Sequence, residues 1–447
     1  MVLTKFVHAA TVALVAAAFV SDALAQPRVH SGVHRTLRAQ GSVNIIVTLK
    51  HGTQEIVSSV KESSYDSRGA QIQALVTRLQ AHAVETQSEI AKNEWGVTKI
   101  LATDVWAAGF KGQGVVVGSI DSGVRYTHEA LKGSWRRDYG WFDPTANSTE
   151  PYDDLGHGTH TTGTITGAGG IGVAPGAQWI GCRACKQAIP FAECTESDLL
   201  SCGQFMTCPS DPSGNNRDCS KAPHIINNSW GGGQGETFYD GVINAWRAAG
   251  IIPIFSNGND GPNCGTANSP ADNPNVIAVG MTDRWDALDL GSSKGPAVSG
   301  LIKPDLSAPG SGVLSSYFDD DVSYVSETGT SMAAPHVSGV VAILLSAKPS
   351  LQYEEVKQIL LSTTDTSTLQ ATGFTCGGTA DTVFPNNQYG HGRLNALKAY
   401  NLATGSNATA APTEPPSICD PLSFFNCRRT KGCTWGEEGC IPTPSTN

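Results

Sequence analysis

Apolar residues along this chain gather in runs that end on polar side chains. Val115-Val116-Val117-Gly118-Ser119-Ile120 carries no charge and stops at Asp121, and Ile251-Ile252-Pro253-Ile254-Phe255 stops at Ser256-Asn257-Gly258-Asn259. Short β-branched runs of this kind predict strands buried on both faces, as in a parallel sheet. Val337 to Leu345 is a longer apolar run behind Gly329-Thr330-Ser331-Met332-Ala333-Ala334-Pro335-His336. It predicts a buried helix with Ser331 in its first turn. Gly329 permits the tight entry, and Pro335 stands early enough for its missing N–H to cost little. Gly156-His157-Gly158-Thr159-His160 predicts a second helix, of small residues, with a histidine at its start. From Trp95 to about residue 404 strands and helices alternate, as a parallel α/β sheet requires. Upstream, Val43 to Leu49 is a strand candidate, and Ile72, Leu75, Val76, Leu79 and Ala83 keep helical spacing.

The ends of the chain read differently. Lys5 precedes the apolar run Phe6 to Val20, which is followed by Ala23-Leu24-Ala25. A charged start, a core too short to cross a bilayer comfortably and small residues at a cleavage position predict a signal peptide over 1–25, and hence a secreted, extracellular protein. No later apolar stretch reads as a membrane span. Asn407-Ala408-Thr409-Ala410-Ala411-Pro412-Thr413-Glu414-Pro415-Pro416 marks a linker over 405–418, and Cys419, Cys427, Cys433 and Cys440 mark a small module over 419–440 that must rely on disulfides.

Composition narrows the class. Charged residues make up 16% of 447 and glycines number 49, which suits a loop-rich α/β domain, while a net charge of −10 gives no electrostatic case for nucleic acid or an anionic membrane. The cysteine count is even, at 12, as export predicts; Cys182, Cys185, Cys194, Cys202, Cys208 and Cys219 cluster in an insertion at 182–219, and Cys264 and Cys376 stand apart. Disulfides are favoured over a zinc site at Cys182 and Cys185, which lack a second close cysteine pair or a histidine, but the pairing is not readable from spacing.

The polar ends of the runs carry chemistry. An aspartate that orients an imidazole, an imidazole that takes a proton and a serine that attacks form an acyl-transfer triad, and the order Asp121…His157…Ser331 is one of the three known chain orders for it. The helix start beside Ser331 offers unpaired N–H groups, and an asparagine at the end of the 251–255 run can donate to the same oxyanion.

These segments resemble the subtilases, and within them the bacillopeptidase F-like group. The likeness includes Asp121-Ser122-Gly123-Val124, Asp153-Asp154-Leu155-Gly156-His157-Gly158-Thr159-His160, Asn227-Asn228-Ser229-Trp230-Gly231-Gly232-Gly233 and Tyr389-Gly390-His391-Gly392-Arg393-Leu394-Asn395. The resemblance implies a three-layer α/β/α domain over 95–404 with a mostly parallel sheet, preceded by a short α+β propeptide over 26–94 that acts as the enzyme's own inhibitor. It implies a serine endopeptidase with Asp121, His157 and Ser331 as triad and Asn259 as oxyanion donor. By the same matching, Ser229, Trp230 and Gly231 form the edge that pairs with substrate, and Asn268-Ser269-Pro270 the far wall of the specificity pocket. Protein or peptide substrates and a monomer are expected, with no cofactor required.

Several features remain at the level of expectation. Thr164 to Ile171 runs straight into Gly172-Val173-Ala174-Pro175 without the acidic ligands of the family's usual calcium loop, so that metal site reads as absent, while a structural calcium elsewhere stays open. Asp319-Asp320-Asp321 reads as a solvated loop. His160 reads as a packed helix residue, not a metal ligand, and His391 as part of a structural turn. The pocket segments 229–233 and 268–270 carry no acidic side chain, so broad cleavage after neutral residues is expected. The insertion is either a stapled surface loop or a specificity element. Asn147 and Asn407 head glycosylation sequons in loops, and Asn227 heads one inside a buried strand. A silent relative that binds through its tail, and an esterase, are the rival readings.

Overall fold

The structure is a computed structural model that describes residues 93–187, 193–410, 433–436 and 439–442. The signal peptide, nearly all of the propeptide and most of the linker and tail module expected from sequence lie outside the described residues.

The apolar runs become strands β1 (Val116–Asp121), β6 (Ile225–Asn228), β7 (Ile252–Ser256) and β8 (Ile277–Thr282), with β2 (Trp141–Phe142), β3 (Gln178–Arg183) and β9 (Leu306–Pro309) completing a parallel sheet of order β2-β3-β1-β6-β7-β8-β9. Side chains alternate across it. Val117, Ile225, Ile252, Ile254, Ile277 and Val279 face one core; Val116, Ile120, Ile226, Phe255 and Ala278 face the other. Both faces are therefore dry, and helices must cover each.

On the first face lie α1 (Trp95–Lys99), α2 (Ala102–Ala107), α3 (His157–Thr166), α6 (Thr330–Ala347), α7 (Tyr353–Ser362) and α8 (Ala396–Thr404). The second is covered by α4 (Glu196–Thr207) and α5 (Asp240–Ala248). This is the three-layer α/β/α arrangement. α6 is its axis. Its 18 residues have a mean hydropathy of 1.4 and would be long and apolar enough to cross a membrane, contrary to the sequence reading, yet 89% of it is buried inside the domain. Gly339 lets it approach closely, because a Cβ there would stand 2.5 Å from the Cβ of Val173.

Further contacts extend the sequence reading. The cysteine-rich insertion is more than a surface loop: Leu199, Phe205 and Met206 of α4 pack into the second core. Glu94, at the expected propeptide boundary, contacts this domain. Its backbone N–H donates to the Gly170 carbonyl at 2.9 Å, and its carboxylate caps α1 through the Gly96 N–H at 2.6 Å. Asp319, Asp320 and Asp321 are exposed, as a solvated loop requires, with Asp321 also accepting from the Arg125 Nε at 2.8 Å and the Thr127 hydroxyl at 2.6 Å.

Among the described residues four disulfides form: Cys182–Cys202, Cys185–Cys194, Cys208–Cys219 and Cys264–Cys376. The first three staple the insertion locally. The fourth closes 112 residues and ties the loop after β7 to the hairpin of β12 (Thr375–Cys376) and β13 (Thr379–Ala380). The chain-entropy cost removed from the unfolded state by so long a closure is about 4–5 kcal/mol. Replacing Cys264 and Cys376 by serine should lower the guanidinium unfolding midpoint by the equivalent of about 2–5 kcal/mol, a larger loss than the same change at Cys185 and Cys194, which close only 9 residues.

Candidate active site

Chain direction across the sheet reverses between β1 and β6, since β2 and β3 lie to one side of β1 and β6 to β9 to the other. Ligands of open α/β sheets sit at such a point, outside the carboxyl ends of the strands. Asp121 ends β1, Ser229 follows β6, and Asn257 and Asn259 follow β7.

Asp121 is buried. Its Oδ1 accepts from the Ser122 backbone N–H at 2.7 Å and from His157 Nδ1 at 2.8 Å. An ionised carboxylate only accepts, so Nδ1 carries the proton and Nε2 of the neutral ring is left as a base. The His157 side chain is 30% exposed. Burial works to lower its pKa, but the charge and hydrogen bond of Asp121 outweigh that, with Glu327 and Asp153 adding to the effect, and it is pushed up to about 9.

The start of α3 is held by a residue that sequence reasoning did not single out. Asp153 Oδ1 accepts from the N–H groups of Leu155 and Gly156 at 3.0 and 2.9 Å, and Oδ2 from the Thr159 N–H at 2.9 Å. Its signal was there to read, an acidic residue four positions before the histidine, at the positive end of a helix. His160, one turn on, is wholly buried with Nε2 facing the carbonyls of Val313 and Val325 at 3.0 and 3.1 Å. Burial first, then the His157 charge, lowers its pKa to about 3, so it stays neutral and packed. Glu327, also unforeseen, closes β11 (Tyr324–Glu327) with Oε2 4.0 Å from His160 Nδ1, and burial raises its pKa.

Ser331 is the second residue of α6. Pro335 lies a full turn further in, past the point where a missing N–H is free, and leaves the Ser331 carbonyl without its helical donor. Ser229 Oγ supplies one at 2.8 Å. In return Ser331 Oγ donates to the Ser229 carbonyl at 3.1 Å. Its hydroxyl is thus turned to β6, and makes no hydrogen bond to His157 among the described residues.

Asn259 Oδ1 accepts from the Thr330 N–H at 2.9 Å and the Thr330 hydroxyl at 3.0 Å. Since that oxygen faces donors, Nδ2 is the other arm of the amide. The Ser331 N–H meets no acceptor among the described residues, as expected in a first helical turn.

Ser229, Trp230, Gly231, Asn259, Asn268 and Ser331 all line one open cavity of about 380 Å³. Trp230 contributes less than its size suggests, because its indole packs edge-on against Tyr239 and Phe255, with centroids 5.0 and 5.5 Å away. Gly258 has φ +107°, and a Cβ there would meet Asn268 Oδ1 at 2.2 Å. The expectation of a pocket without acids fails: Asp260 lines it too, with Oδ2 accepting from Asn268 Nδ2 at 2.7 Å. The sequence reading considered only segments 229–233 and 268–270, and Asp260 enters from the β7 side.

The sequence profile of the subtilase family matches residues 112–392. Bacillopeptidase F of Bacillus subtilis (strain 168) is 40% identical over 343 residues, which are 70% of this chain and 22% of that protein. Serine protease AprX of the same organism is 33% identical over 291 residues (57% of this chain, 62% of the relative), and subtilisin DY of Bacillus licheniformis 33% over 276 residues (60% and 90%). The chain thus spans about a fifth of the first of these relatives. A crystal structure of a cold adapted subtilisin-like serine proteinase superimposes with a TM-score of 0.51 and 29% identity, covering 64% of this chain and 90% of that one.

A raised histidine pKa has a definite linkage sign. The Asp121–His157 contact contributes stability that is fully present below the unfolded imidazole value of about 6.5 and is lost as pH rises through the folded value. The ¹H–¹⁵N titration of the His157 ring should show a midpoint above that unfolded value. Asp121→Asn should move it down strongly and Glu327→Gln less; a midpoint unmoved by Asp121→Asn would contradict the assignment.

Proposed function

From the premise that the chain belongs to the subtilase family, we propose that it is a secreted serine endopeptidase, released from its own propeptide by cleavage. The observation that supports this most is the shared edge of three neighbouring strands. β1 carries the Asp121–His157 pair, β6 holds the Ser331 hydroxyl, and β7 delivers the Asn259 amide beside the free Ser331 N–H.

In the proposed reaction the Ser331 hydroxyl turns from the Ser229 carbonyl to His157 Nε2, which takes its proton as Oγ attacks the peptide carbonyl. The developing oxyanion receives hydrogen bonds from Asn259 Nδ2 and the Ser331 N–H; losing one such donor costs about 10²–10³ in turnover. His157, now charged and held by Asp121, returns the proton to the leaving amine. Water then cleaves the acyl-enzyme by the same route. Every group in this sequence comes from the chain itself, and no cofactor is invoked.

Peptides are favoured over simple esters because Ser229 to Gly231 continue past β6 outside any strand, where an extended backbone can add. Beyond them Gly232 already pairs with Ser269, its N–H donating to the Ser269 carbonyl at 2.9 Å. Specificity is proposed to be broad. The half-engaged carboxylate of Asp260 adds tolerance for a basic side chain to the neutral ones expected from sequence. Secretion is supported by the four disulfides. The exposed sequon residues Asn147 and Asn407 accept glycans on this reading, whereas buried Asn227 does not. Because Glu94 is built into the domain, the maturation cut is proposed to fall before it.

The full chain and its Ser331→Ala variant, expressed in a secretory host, test the reading by intact mass. Only the wild type should lose its N-terminal segment, with a new N-terminus upstream of Glu94. Processing of both chains, or of neither, would count against a self-activating peptidase. For the pocket, Asp260→Asn should lower kcat/KM for a lysyl substrate relative to a leucyl one by about fivefold, the worth of one solvent-screened charge contact of ~1 kcal/mol.

A further inference from the structure

A second cavity, of about 180 Å³, lies between the segment joining β8 to β9 and the loop that carries β12 and β13. Leu288, Leu290 and Lys294 line it from one side, Thr372 and Phe374 from the other, and Tyr389 joins them. None of these residues lines the first cavity.

Lys294 is the feature that asks for an explanation. The residue is 2% exposed. Its backbone N–H donates to Thr266 Oγ1 at 2.9 Å, but its Nζ makes no hydrogen bond or ion pair among the described residues, and its recorded contact is the Phe374 ring, 5.0 Å from the centroid. Burial pushes the amine's pKa down, against the pull of Asp381.

The nearby carboxylates are engaged by neutral donors instead. Asp289 Oδ1 accepts from the Gly291 N–H at 2.9 Å and Oδ2 from Ser311 Oγ at 2.6 Å. Asp381 Oδ2 accepts from the Thr372 hydroxyl and the Gly373 N–H, both at 2.8 Å. The Tyr389 hydroxyl, too, is occupied, donating to the Gln370 carbonyl at 2.7 Å and accepting from the Leu288 N–H at 2.8 Å. Asp289 lines the cavity too, with both its oxygens already accepting, so Lys294 Nζ, which has no protein acceptor among the described residues, is left to take an anion from the cavity. The cavity mouth is apolar: Leu290 is 73% exposed and Phe374 57%.

We infer that this cavity is a binding site for an amphiphilic carboxylate, whose anionic end meets Lys294 Nζ and whose apolar body lies between Leu290 and Phe374. A free alkanoic acid and the C-terminus of a peptide ending in an apolar residue share that chemistry. The site is separate from the chemistry at Ser331 but shares a wall with its cavity, since Ser293 Oγ accepts from the Asp260 N–H at 2.9 Å and the Ser293 carbonyl from Asn257 Nδ2 at 2.8 Å.

Isothermal titration calorimetry on the purified chain, pretreated with phenylmethanesulfonyl fluoride, tests this without reference to turnover. If Ser331 is not a nucleophile the reagent leaves the chain unchanged and the binding is read in the same way. The probes are hexanoate against hexanamide, and N-acetyl-leucyl-phenylalanine against its C-terminal amide. At least one acid should bind, with its amide at least tenfold weaker; the tighter of the two acids identifies the source. Lys294→Met should cost the acid at least tenfold, and so should Leu290→Asp, an exposed change that sets a like charge at the mouth and carries the test if the lysine variant does not fold. Equal binding of acid and amide, no heat from either acid, or unchanged affinity in a folded Lys294→Met or Leu290→Asp chain would overturn the inference.

Discussion

Pro335 takes one hydrogen bond out of the central helix, and the geometry around Ser331 follows from how that loss is repaired. A buried carbonyl without a donor costs about 1–3 kcal/mol. Here the donor comes from Ser229, at the end of a neighbouring strand, and the Ser229 carbonyl receives the Ser331 hydroxyl in exchange. Asn227 extends the arrangement, its Nδ2 donating to Ser229 Oγ at 3.0 Å while its Oδ1 accepts at 2.9 Å from the Oγ of Ser338, about two turns further along α6. Sheet and helix are thereby locked in register at the residue that must be placed most accurately. Ser331 is thus held by two hydrogen bonds to one residue, and in the proposed reaction only its hydroxyl has to turn.

Charge of one sign gathers around the imidazole. Asp121, Asp153 and Glu327 all act on His157. Each carboxylate is handled differently. Asp121 is used by the imidazole, Asp153 is spent on backbone N–H groups at the helix start, and Glu327 is the one whose pKa burial raises. The histidine consequently sees a graded field.

Much of this was legible in the sequence, for reasons that are physical. β1 and β7 are apolar because they are buried on both faces, and each ends on the polar residue it delivers, so strand and site residue are read together. Helix α6 is apolar all round because it lies at the centre of the domain, which is also why length and composition alone pass it as a membrane span. What escaped were relations between segments far apart. Cys264 and Cys376 pair across 112 residues with nothing local to announce it. Asp260 enters the pocket from a strand end that had been read for its asparagines. Glu94 caps a helix of 5 residues, too short to leave a period. The turn of the Ser331 hydroxyl toward Ser229 depends on a strand a hundred positions away in the chain, which no local pattern encodes.

Under the proposed function each molecule is surrounded by copies of itself, and the substrate each copy can most easily find is another's loop. To be cut, a loop must straighten into several extended residues that lie along an edge such as Ser229 to Gly231. The insertion between β3 and β6 is the long excursion most exposed to that fate, yet Cys182–Cys202, Cys185–Cys194 and Cys208–Cys219 pin it at intervals of 20, 9 and 11 residues. A segment tied this often cannot pull straight without breaking a covalent bond. Under that function the staples act as resistance to self-digestion.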